Sequence, residues 1–288
     1  MSTDEYRWVP PGLDADEAES FLELIEDVPP AAKPELATWA MPAATPRGMT
    51  PMSSFMRFQT ASHIDLGVHS PSPRYPHEVL EELIELPDKV LLYYLDFLLS
   101  EHLIYEGRAP QSVSALGEIL RRSGSNWAVG NRQGRYGLVE RVPSGVAVVV
   151  ESVMSKQDLA SSQLRKAWGQ AYGVNPSPSS AYHDAVKAVE ILSTPLISPK
   201  DKDATLGKDI NVLRSGGHNW KFVMAGSKDS SAVEHLVSMM QLLWHSQSDR
   251  HGQGDYQDVS VEEAQAAVLL ASTLVGWFSQ GALRRVDD

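Results

Sequence analysis

Cysteine is absent from the 288 residues, so the chain can form no disulfide, no thiolate metal site and no cysteine nucleophile, which fits a reducing compartment. Long hydrophobic runs are missing too. The two most apolar stretches, VLLYYLDFLL at 90–99 and AAVLLASTLVGWF at 266–278, fall short of the roughly 20 residues a bilayer crossing requires. MSTDEYRWVP has neither the basic start nor the apolar centre of a secretory signal, so the expectation is a cytoplasmic protein with no membrane partner. There is no P-loop, no GxGxxG, no GxSxG elbow and no HExxH, since HEVLE carries one histidine where a zinc helix needs two. Nucleotide hydrolysis, dinucleotide chemistry and zinc peptidase chemistry therefore have no support, and no cofactor or metal is expected.

Positive charge is also scarce, and the formal net charge is −12. That disfavours indiscriminate binding to nucleic acid. Ten acids stand against Arg7 and Lys33 within residues 1–40, so this leader carries −8 and the rest of the chain only −4. A local polyanion site in the body remains open.

Proline, serine and acid dominate 1–75, with breakers such as VPPAAKPE and HSPSPRYP, and this predicts a mostly disordered leader. One short amphipathic helix is expected at 14–28. Asp14 is its N-cap with Glu17 as capping-box partner, and Phe21, Leu22, Leu24, Ile25 and Val28 form its apolar stripe. Such an acidic helix could dock on a protein partner or pack on its own domain.

Residues 76–143 predict a small middle domain. HEVLEELIEL, PDKVLLYYLDFLLSEHL and SVSALGEILRRSG have helical periodicity, and after Gly124 the segment NWAVGNRQGRYGLVERV changes to a hairpin turning at Asn131–Gly134. Helices followed by a hairpin would also suit a winged-helix module. Arg121, Arg122, Arg132 and Arg135, interleaved with Trp127 and Tyr136, could pair phosphates and stack bases as an RNA platform. The competing reading is a solvated ribbon whose arginines pair with the acidic leader or neighbouring helices.

From 144 to 283 helical spacing returns, near 156–172, 179–193, 204–214, 231–247 and 260–281, which predicts an antiparallel helical bundle. Ala264, Ala267, Val268, Ala271, Leu274, Val275 and Phe278 make the stripe of the last helix. The fold class is thus mainly α.

Between the last two helices lies LLWHSQSDRHGQGD. It places His245, Asp249, Arg250 and His251 within a few residues: a general base, a cation for a developing phosphorane charge and an orienting carboxylate. Metal-independent RNA cleavage uses such groups, although a histidine in a polar turn also serves as a cap.

AYHDAVKAVE, KDKDATLGKDINVL, LLWHSQSDRHGQGD and VSVEEAQAAVLLASTLVGWF together resemble the C-terminal domain of abortive-infection-like bacterial proteins, within the HEPN helical bundles, over roughly 155–281. Glu190 matches the family's helical glutamate, Thr205, Leu206 and Gly207 its TLG-type segment, and His251 and Gly252 its His-Gly turn. The resemblance implies a HEPN-like bundle, a phage-defence or toxin role, endoribonuclease activity or non-catalytic RNA or protein binding, and a homodimer with two turns facing each other. The family's usual arginine precedes histidine by four to six intervening residues. Those positions here hold Trp244, His245 and Ser246, and Arg250 is adjacent instead.

Overall fold

The computed structural model describes residues 7–43, 51–67, 76–102, 109–132, 135–227, 231–245 and 258–286. It is mainly helical and divides into two compact units, Met1–Arg141 and Val142–Asp288.

Prolines that break a helix interior are tolerated in its first turn, where the missing N–H has no partner to lose. The leader uses this rule repeatedly. Helix α1 (Ala15–Leu22) opens on the predicted capping box: Asp14 Oδ1 accepts from Glu17 N at 2.9 Å, and Glu17 Oε2 accepts from Asp14 N at 3.1 Å. Pro30 starts a 3-10 turn that runs into α2 (Lys33–Ala43), and Pro51 opens α3 (Pro51–Ser62). The expectation of a mostly disordered leader is corrected here. Leu36, Ala37, Trp39 and Ala40 of α2 and Phe55 and Phe58 of α3 are buried in the N-terminal unit. The apolar content of these segments outweighs their breakers. Helix α1 also ends sooner than Val28, because Ile25 leaves the helix to bridge Ser125: Ile25 N donates to Gly124 O and Asn126 N to Ile25 O, both at 2.8 Å.

Helices α4 (Pro76–Glu85), α5 (Asp88–His102) and α6 (Ala109–Arg122) follow the predicted periodicity closely. Tyr94 of α5 stacks on Phe55 at 4.9 Å and meets Phe58 edge-on at 5.3 Å, binding α3 to α5. The Trp39 indole donates to Ser112 O at 2.7 Å and ties α2 to α6. Gly124, at φ +72°, provides the left-handed exit from α6 that side chains avoid. The predicted hairpin then forms from β1 (Trp127–Arg132) and β2 (Arg135–Glu140), with Trp127 opposite Glu140 and Arg132 opposite Arg135. Buried Asp96 of α5 accepts from Leu138 N at 2.7 Å, which seats β2 on α5.

In the C-terminal unit α7 (Ser144–Met154), α8 (Leu159–Tyr172), α9 (Pro178–Ile197), α10 (Leu206–Gly216), α11 (Ala232–His245) and α12 (Val261–Ser279) form a helical bundle. Helices α8, α9 and α12 are its centre. All seven residues of the predicted α12 stripe are buried. Asp184 of α9 accepts from Gln163 Nε2 at 2.5 Å and pairs with Lys166 Nζ at 2.8 Å, clasping α8. Asp209 of α10 is fully buried and accepts from the hydroxyls of Ser193, Thr194 and Ser198 at 2.8, 3.0 and 2.7 Å, so α9 and α10 share one satisfied carboxylate. Two short strands, β3 (Trp220–Phe222) and β4 (Leu283–Arg285), add an antiparallel ribbon.

Candidate functional site

Residues 246–257 lie outside the described residues, and with them Asp249, Arg250 and His251; His245 is the last residue of α11 and only its backbone is described. What the structure describes is how both ends of that stretch are fixed.

The last carbonyls of a helix have no intrahelical partner. Near the end of α11 the buried hydroxyl of Tyr182, from α9, donates to Leu243 O at 2.9 Å. Trp244 lies over the first turn of α10. A Cβ built on Gly207 would stand 2.6 Å from Cζ2 and 2.7 Å from Cε2 of the indole, so only glycine fits beneath the ring in this position. The start of α10 is completed from α9: Glu190 Oε1 accepts from Leu206 N at 2.8 Å, satisfying an orphan donor and placing a carboxylate at the positive end of the helix dipole. On the far side, Ser260 caps α12 in a capping box with Glu263, at 3.1 and 2.9 Å, beside buried Val259. The structure therefore brings together Glu190, the 205–207 segment and the end of α11, three of the features on which the sequence resemblance rests.

The middle hairpin has a different character. Arg121 forms a double hydrogen bond with Glu118, at 2.9 and 2.6 Å, and these bonds hold the Glu118 carboxyl below its usual range. Arg122 reaches Glu35 of α2 at 2.6 Å. The Trp127 indole donates to Glu26 O at 2.9 Å. Arg135 is exposed and Tyr136 half-buried, while the Arg132 side chain lies outside the described residues. Arg121 and Arg122 thus have the acidic partners of the solvated-ribbon alternative, one of them in the leader.

Among the described residues no group of three or more histidines and carboxylates could hold a metal ion, and no helix is long and apolar enough to cross a membrane.

Sequence reading missed the β3–β4 ribbon. Lys221 stands directly opposite Arg284, and the Arg285 guanidinium lies 5.0 Å from the centre of the Trp220 ring. The basic signal LRR at 283–285 was present, but three-residue strands carry too few alternations to show a period of two.

No family model matches the chain, nor does any curated protein or solved structure.

Proposed function

We propose that this chain is an RNA-directed protein of the phage-defence or toxin type, with a HEPN-like C-terminal bundle that cleaves RNA without a metal and has the 246–257 stretch as its centre. The supporting observation is the convergence on α9: its Tyr182 clamps the end of α11, its Glu190 completes the start of α10, and Gly207 of α10 receives Trp244. A loop that carries chemistry has to spring from fixed ends, because misplacement of about 1 Å can cost two orders of magnitude in rate.

On this reading His251 takes the proton from a ribose 2′-hydroxyl, whose oxygen attacks the adjacent phosphorus. Arg250 holds the charge that develops on the phosphoryl oxygens, Asp249 and His245 orient the pair, and the protonated His251 returns its proton to the departing 5′-oxygen. A homodimer would set two such turns together. An RNA platform in the middle domain is less favoured by the geometry, since Arg121 and Arg122 at the end of α6 and Trp127 of β1 are engaged by Glu118, Glu35 and Glu26 O. That observation favours a structural hairpin and moves RNA contact to the C-terminal unit.

The test is incubation of the protein with transfer RNA in EDTA beside Arg250→Ala and His251→Ala variants whose melting matches wild type. Cleavage by wild type that both variants lose is expected. Cleavage that survives either substitution removes that residue from the mechanism, and inactivity of the wild type favours a non-catalytic binding module.

A further inference from the structure

The C-terminal unit carries 16 acids and 13 bases, and three of the bases, Lys221, Arg284 and Arg285, stand on the short β3–β4 ribbon. Direct partners in an antiparallel pair project from the same face with Cβ atoms about 5 Å apart, and like charges in such pairs repel. Lys221 and Arg284 are such partners, both exposed, and among the described residues no carboxylate pairs with either. Arg285, next in the chain and the direct partner of Trp220, projects from the opposite face, where its guanidinium lies across the indole. Exposed Arg214 and His218 lead into β3.

We propose that the exposed face of the β3–β4 ribbon that carries the direct pair Lys221 and Arg284 binds the phosphate backbone of single-stranded RNA. A polyanion relieves the repulsion between Lys221 and Arg284, and both can make charge-assisted hydrogen bonds to phosphate oxygens. Nucleic acid fits better than an anionic lipid surface. The exposed apolar residues Val223 and Val286 stand at opposite ends of the ribbon, where Val223 N donates to Ala282 O and Val286 N to Asn219 O, so they form no single apolar face that could enter a bilayer. The partner rests on the RNA-directed reading above, but the inference does not require cleavage.

The experiment measures binding of a fluorescent 2′-O-methyl RNA oligonucleotide to the full chain by polarisation across a salt series. That probe lacks the attacking hydroxyl, so binding is read apart from cleavage. Wild type should bind with a Kd that weakens steeply with salt. In Lys221→Gln/Arg284→Gln the Kd should rise about tenfold or more and the log–log salt slope should fall by about 1.4, at about 0.7 per phosphate contact on a single strand. Removing a like-charge pair should leave Tm unchanged or higher, and Arg284→Lys, which keeps the charge, should bind within a few-fold of wild type. Unchanged affinity and slope in the double variant would overturn the proposal, as would binding of wild type to phosphatidylserine vesicles but not to the oligonucleotide. Failure of cleavage with ribbon-dependent binding intact would refute the catalytic reading alone.

Discussion

Replacing Gly207 by alanine gives a change whose sign the packing decides. In an open helix interior this substitution stabilises by about 0.5–1 kcal/mol, because alanine has less backbone entropy to lose. Gly117 in α6 is such a position, with nothing within 4 Å of an added Cβ. At Gly207 the added methyl meets three atoms of the Trp244 ring between 2.6 and 2.9 Å, distances that real Cβ atoms do not adopt. The indole must move, and overpacking of this kind costs about 1–3 kcal/mol. The net expectation is destabilisation of up to about 2.5 kcal/mol and no gain. Placing Gly207→Ala in a Trp244→Leu background removes the rigid ring, and the sign should invert to a gain of about 0.5–1 kcal/mol. The assay is urea unfolding followed by circular dichroism for the four combinations, with Gly117→Ala as the control. If the two units unfold in separate steps, Gly207→Ala should shift one transition and Gly117→Ala the other. Stabilisation by Gly207→Ala equal to that of Gly117→Ala, with no coupling to Trp244, would refute the contact.

Four further outcomes follow from the packing. Leu36→Ala should cost about 2–5 kcal/mol in the N-terminal unit as a buried large-to-small change, detected by thermal melting, whereas in an unstructured leader it would change nothing. Tyr182→Phe should cost about 1 kcal/mol by leaving Leu243 O without its donor, and should raise amide exchange at the end of α11. Asp209→Asn should cost about 1–3 kcal/mol in urea unfolding, since an amide cannot accept from three hydroxyls as a carboxylate does. Tyr94 has a buried hydroxyl with no hydrogen-bond partner among the described residues, and its phenol is pushed up by burial, so Tyr94→Phe should be neutral or stabilise by up to about 1 kcal/mol. A raised folded pKa favours the neutral form, so the Tyr94 contribution is full below the unfolded value near 10 and is lost above it. Wild type should therefore lose stability on going from about pH 9 to 11 more than Tyr94→Phe does.

Where a segment was long and strongly periodic, the amino-acid pattern sufficed: α5, α6 and α12, the Asp14 capping box and the hairpin follow from side-chain spacing alone. The leader was harder. Its prolines look the same in sequence whether they break a helix or open one, and only the burial of Trp39, Phe55 and Phe58 tells the two apart. Helix α7 was not singled out because its valines favour strands in isolation, and tertiary packing of Val150 and Val153 decides the matter. At the candidate site, the sequence placed Glu190, Gly207 and the 242–255 stretch together only through resemblance. The reasons for their proximity, an orphan N–H at Leu206 and an indole needing room at Gly207, are contacts between residues far apart in the chain. Arg121 and Arg122, in the last turn of α6, were legible as charges, and the Arg121–Glu118 pair is an i,i+3 contact within that helix, but the pairing of Arg122 with Glu35 depends on the folded leader.

The central claim is cleavage by attack of a 2′-hydroxyl at residues 246–257, the stretch that joins α11 to α12. Its most direct test is the end chemistry of fragments made from total RNA by the purified protein in EDTA. The account predicts 2′,3′-cyclic phosphate and 5′-hydroxyl ends, and no fragments from the folded His251→Ala variant. Intact RNA, or fragments with 3′-hydroxyl ends, would contradict it.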